Sequence, residues 1–184
     1  MRTFLFGNSL VGMLAALALQ AQSNPVARYT VTDLGTLGGT FSVAFGINNA
    51  GRVGGAAALP SGNVHAYLAG VGGLKYDLGT LGGPNSQGNR PDGMTNLSVV
   101  SETATPDPLK EDFCGFGNHL VCLGARWNGV MTPLPTLGGN NAMALLSNNR
   151  GQIIGVAENG THDAACPAPQ LLDFEATVWG AGQG

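Results

Sequence analysis

The chain has 184 residues, a formal net charge of −3 and only 10 % charged residues, against about 25 % in ordinary soluble domains. No run of Lys or Arg occurs, so the basic stripe that neutralises phosphates is missing and nucleic acid is not an expected partner. The apolar fraction of 43 % is enough to build a core and argues against wholesale disorder. The 30 glycines fit short strands and tight turns better than helices.

The first segment stands apart. Arg2 precedes the apolar stretch "FLFGNSLVGMLAALAL", and Ala21 in "LQA" offers a small residue at a cleavage point. This is the pattern of a secretory signal peptide over residues 1–22. The apolar run is at the short end for a membrane span and carries Asn8 and Ser9, and no Cys follows it. The expectation is a secreted, extracytoplasmic protein with no stable membrane insertion after cleavage.

Beyond it the chain repeats itself. "DLGTLGG" occupies residues 33–39 and recurs unchanged at 77–83, and "LPTLGG" ends at Gly139. Thr36 and Thr136 head copies one hundred residues apart. The same offset pairs Asn48, Asn49 and Gly51 with Asn148, Asn149 and Gly151, and Gly55 with Gly155. The middle copy starts at Thr80, giving a unit of 44 residues, and the next unit is lengthened to 56 by an insertion. Units thus start near residues 36, 80 and 136.

Within the first unit, "FSVAFGI" and "RVGGAAAL" flank the turn "NNAG"; "VHAYLAG" and "LKYDLG" follow further turns. Four short strands per unit, punctuated by Gly and Asn, predict an all-β fold of propeller-like repeats over residues 29–184. Gly38, Gly39, Gly51, Gly82, Gly83, Gly138, Gly139 and Gly151 are the expected structural turn positions. A phosphate loop is the competing reading of "TLGG". It lacks the Lys-Ser/Thr ending or the three-glycine strand-to-helix spacing that such loops need.

The phrases "DLGTLGG", "GINNAGRVGG" and "HAYLAG" together resemble the HAF family of extracellular repeats, named for a His-Ala-Phe triplet. Here the triplet is His65-Ala66-Tyr67, and "ARWNG" and "ATVWG" keep only its aromatic end. The resemblance runs from about Tyr29 to the C-terminus. It implies a secreted, propeller-like β-repeat protein and carries no established activity. Three units fall short of a closed ring, so the sequence reads as part of a longer array or as one that self-associates through exposed strand edges.

The candidate chemistry is sparse. Cys114 and Cys122 bracket "GFGNHLV" and could close a small disulfide loop in an oxidising compartment. Cys114 and Cys166 each lie 13 residues before a Trp, at Trp127 and Trp179, which admits a Cys114–Cys166 staple instead. A zinc site from Cys114, His119, Cys122 and either His162 or Cys166 is a third reading. Asp107, Glu111 and Asp112 sit in the inserted loop and read as a solvated acidic loop, with calcium binding or an acid pair as alternatives. His65 reads as a hydrogen-bonded strand residue, Trp127 and Trp179 as core. Asn96 and Asn159 head glycan-acceptor patterns. No catalytic residue, metal or cofactor is expected. The sequence therefore points to a non-catalytic binding or structural module for an extracellular ligand, such as a surface polysaccharide or protein, held at the long loops. The alternative is a secreted carbohydrate-active enzyme using the loop carboxylates.

Overall fold

The computed structural model describes residues 28–70, 72, 74–93 and 96–180; the signal-peptide assignment lies outside them. The chain divides at Thr32 into two units. Of the first, only residues 28–32 are described, without regular structure. The second begins at Asp33, where the first "DLGTLGG" starts.

Among the described residues there is no helix, and the strands run in chain order as β1 (Ser42–Ile47), β2 (Val53–Ala58), β3 (Val64–Ala69), β4 (Lys75–Asp77), β5 (Gly82–Pro91), β6 (Leu97–Pro106), β7 (Leu120–Trp127), β8 (Met131–Pro133), β9 (Gly138–Ser147), β10 (Ile153–His162) and β11 (Leu172–Trp179). They form three separate antiparallel sheets ordered β1-β2-β3-β4, β5-β6-β7-β8 and β9-β10-β11, none of them closed into a barrel. The first two repeat units thus fold as four-stranded meanders, as the turn spacing predicted, and the third shows three strands among the described residues.

The repeated phrase is the handover between sheets. Asp77 ends β4 and Gly82 opens β5; Pro133 ends β8 and Gly138 opens β9. Nearly every residue of "DLGTLGG" has a local task. Asp33 and Asp77 accept the amides of Gly35 and Gly79 at 2.8 Å. The hydroxyls of Thr36, Thr80 and Thr136 accept the amides of Gly38, Gly82 and Gly138. The first glycine of each pair takes φ near +100°, at 99°, 110° and 112°, which side chains resist. The second lies against the neighbouring strand. A Cβ on Gly83 would stand 2.6 Å from Glu102 Cβ, and one on Gly139 2.4 Å from Glu158 Cβ.

The "NNxG" turns share one geometry. Asn48 Oδ1 accepts the amides of Ala50 and Arg52 at 3.0 and 2.9 Å, and Asn148 Oδ1 those of Arg150 and Gln152 at 2.9 and 3.2 Å. In the second sheet Asp92 takes the role of Asn48, accepting the Asn96 amide at 3.1 Å. The 44-residue register therefore persists through β6. The insertion of the second unit lies further on, in the 107–119 loop between β6 and β7.

Sheet packs on sheet through small residues. β5 lies against β2 and β3, and β9 against β6 and β7. Ala66, Leu68, Leu78, Leu97, Val99 and Ala125 form the core between the first two sheets, and Ala142, Ala144, Ile153, Ala157 and Trp179 a second core. A Cβ on Gly54 would stand 2.0 Å from the Asn89 carbonyl oxygen. At the equivalent place in the second sheet, Ser98 Oγ donates to the Leu145 carbonyl at 3.0 Å. The third sheet carries Ile154 there, paired with Leu146 and Val178 and half-exposed. Two glycine- or serine-lined faces are covered by the following sheet; among the described residues nothing covers the bulky third face.

Candidate functional site

The long-loop end of the sheets is a network of buried polar groups. Asp107, Glu111 and Glu158 are buried, as is Asn141. Asn141 Oδ1 accepts the Cys122 amide at 2.9 Å, which fixes the side-chain amide so that its NH2 faces the carboxylates. Nδ2 donates to Asp107 at 2.9 Å, to Glu158 at 3.1 Å and to Glu111 at 3.4 Å. Glu111 Oε1 accepts the amides of Leu171 and Leu172 at 2.5 and 2.9 Å. Asp107 Oδ1 accepts those of Leu109 and Glu111. Burial raises the Glu158 carboxyl above its ordinary range, and the charge of Glu111 adds to this; hydrogen bonds from Gln170 and Asn141 oppose it.

The second sheet repeats the motif 56 residues earlier. Asn85 Nδ2 donates to the buried Glu102 at 2.9 Å, and Asn85 Oδ1 accepts the Val64 amide of the first sheet at 2.9 Å. An Asn–Glu pair thus stitches each later sheet to the third strand of the one before. The acidic loop is not solvated as its sequence suggests: Asp107 and Glu111 are buried because the backbone N–H groups of two loops converge on them. Asp112, half-buried, accepts the Gly117 amide at 3.0 Å.

Cys114 and Cys122 form a disulfide, and Cys166 is free. The Cys114–Cys166 staple and the zinc quartet are both overturned, since two of the four zinc ligands are bonded to each other. His119 Nδ1 instead contacts the Lys110 carbonyl oxygen at 2.9 Å. Ligand atoms of Asp163, Cys166 and Asp173 lie within 4.8 Å of one another. Desolvation, with the carboxylates of Asp173 and Asp163, holds the Cys166 thiol above its usual range, so it is a poor thiolate.

The His-Ala-Tyr triplet does structural work. His65 Nδ1 lies 2.8 Å from Asp77 Oδ1, joining the triplet on β3 to the repeated phrase on β4. Tyr67 is buried over Gly55, with Lys75 Nζ 3.9 Å from its ring centroid. Trp179 is core, its Nε1 donating to the Pro135 carbonyl at 2.8 Å. Asn96 is buried, donates to Asp92 at 2.6 Å and accepts from Arg126 at 2.9 Å, so the folded chain does not present it for glycosylation.

Two concavities among the described residues exceed about 400 Å³. A groove of about 510 Å³ is lined by Arg52, Leu68, Leu74 and Tyr76 of the first sheet and its turns and by Trp127 of β7 in the second. Leu74 is 71 % exposed and Tyr76 59 %. Sequence reasoning missed this groove, because Tyr76 and Trp127 come from strands of different sheets. The other is a polar cavity of about 430 Å³ where the first turns of the three sheets meet, lined by Asn49, Arg90, Asp92, Gly93, Asn149 and Arg150 among others.

No family model, curated protein or solved structure matches the chain.

Proposed function

We propose that the protein is a secreted, non-catalytic binding module whose three sheets stand as blades of a propeller-like array of HAF type. The propeller reading draws on the order of each meander and on the handover of the chain from one sheet's last strand to the next sheet's first strand. The extracytoplasmic placement draws on the N-terminal sequence. The Cys114–Cys122 disulfide is compatible with it, and no described helix is long and apolar enough to cross a membrane.

The ligand site is the groove of Arg52, Tyr76 and Trp127. The observation that carries this is a tyrosine more than half exposed beside a tryptophan and an arginine in one concavity. Apolar and aromatic walls with one convergent polar group suit a bound solute, and aromatic faces stack on the C–H faces of sugars while a guanidinium donates to hydroxyls. A surface polysaccharide is therefore the proposed ligand. The alternative enzyme reading would use Glu111 and Asp112, and the engagement of Glu111 by Leu171 and Leu172 leaves it poorly placed for substrate. The test is Trp fluorescence titrated with neutral hexose oligosaccharides such as cellohexaose, with Tyr76→Ala as control. Saturable quenching lost in the variant supports the groove. Absence of any response across differently linked hexaoses overturns it.

A further inference from the structure

The cavity where the three first turns meet lies apart from the groove and is walled by the repeat's own turns. Its wall is tied together by two side-chain bonds: Asn48 Nδ2 donates to the Asp92 carbonyl at 2.6 Å, and Gly93 donates to Asn149 Oδ1 at 2.7 Å. These bonds join the turn of the first sheet to that of the second, and the second to the third. Two arginines line the resulting cavity, Arg90 from β5 and Arg150 from the β9–β10 turn.

Neither arginine is required by the repeat. The register places Gly46 and Leu146 at the position of Arg90, and Ala50 at the position of Arg150. Gly46 makes room for the Arg90 side chain, since a Cβ there would stand 2.5 Å from Arg90 Cβ. Among the described residues no carboxylate pairs with either guanidinium. The one acid in the lining, Asp92, is engaged by the amide and Nδ2 of Asn96. Ser147 Oγ, also in the lining, is shielded from solvent without a hydrogen-bond partner. A chain of net charge −3 with 8 basic residues in all thus places two exposed arginines and a set of amide residues around one concavity.

We propose that this cavity binds a carboxylate-bearing sugar, with Arg90 and Arg150 holding the carboxylate and Asn49 the ring hydroxyls. Arginine forks match carboxylate oxygens two at a time, with more strength than neutral hydrogen bonds. A volume of about 430 Å³ admits one hexuronate and lies within the range of ordinary small-molecule sites. The uronate arrives either as a free sugar acid or as a residue of an acidic polysaccharide.

Calorimetric titration with D-galacturonate, D-galactose and tetragalacturonate tests the assignment, using the full chain, Arg90→Gln, Arg150→Gln and the remote charge control Lys110→Gln. Galacturonate is expected to bind at least tenfold tighter than galactose. Each arginine substitution is expected to weaken it at least tenfold with the melting temperature unchanged, and Lys110→Gln less than twofold. Tighter binding of the tetramer than of the monomer assigns the site to polysaccharide, and equal binding per uronate assigns it to the free acid. Equal affinity for galactose, indifference to both arginine substitutions, or no heat with any uronate overturns the proposal.

Discussion

Asn141 donates one side-chain amide to three buried carboxylates, and its bond to Glu158, at 3.1 Å, repeats the bond of Asn85 to Glu102, at 2.9 Å. The orientation is set from the other end, where Cys122 and Val64 donate to the two amide oxygens. In the third sheet the arrangement also gathers the 107–119 loop, because Asp107 and Glu111 share the same NH2 group. The loop is therefore built into the sheet stack rather than hung upon it.

Removing that amide takes one donor from each of three buried carboxylates, which keep their backbone and Gln170 partners. Asn141→Ala is expected to lower stability by about 3 kcal/mol, since hydrogen bonds to buried charged groups contribute more than neutral surface ones. Asn141→Asp, which adds a fourth carboxylate, is expected to be worse. Chemical denaturation measures both, and a loss below about 1 kcal/mol for Asn141→Ala would refute the network.

The same cluster gives the fold a pH dependence. The Glu158 carboxyl is raised in the folded chain above its ordinary value of 4.5, so folding favours its protonated form. The stabilising effect is complete below the unfolded value and is lost as pH rises through the folded value. The midpoint of urea unfolding is expected to fall as pH rises above 4.5, and Glu158→Gln is expected to flatten that slope. A slope unaffected by the substitution contradicts the assignment.

The thiols give a third expectation. Alkylation without reduction should label one cysteine, Cys166, and all three after reduction. Replacing Cys114 and Cys122 together by Ser is expected to cost about 2–3 kcal/mol through loss of the short cross-link. Labelling of three thiols in the unreduced protein would contradict the disulfide.

Much of the frame was legible because backbone requirements leave marks on sequence. A positive φ at Gly38, Gly82 and Gly138 and the Asx geometry of Asn48 and Asn148 recur at fixed offsets, so sliding the chain on itself finds them. Spacing alone also put Cys114 beside Cys122 as one of several pairings. Contacts between distant strands leave no such mark. Glu111 reaches the Leu171 amide across 60 residues, and nothing near Glu111 in sequence announces a donor. Tyr76 and Trp127 line one groove only because two sheets stack, and Asp92 stands in for Asn48 under a different letter. The acids looked solvated because composition reports charge and not who donates to it.

The sheets stack in repeat register through positions with little or no side chain, Gly54 and Ser98. Thermal and denaturant unfolding of Gly54→Ala beside Ile154→Ala measures what that close approach contributes. The new methyl of Gly54→Ala meets the Asn89 carbonyl oxygen and Leu97, and a loss of about 3 kcal/mol is expected from overpacking. Ile154→Ala, at the equivalent position of the open face, is expected to cost less than about 1 kcal/mol, as half-exposed side chains do. A Gly54→Ala protein as stable as the parent, within about 0.5 kcal/mol, would contradict the stacked-sheet account.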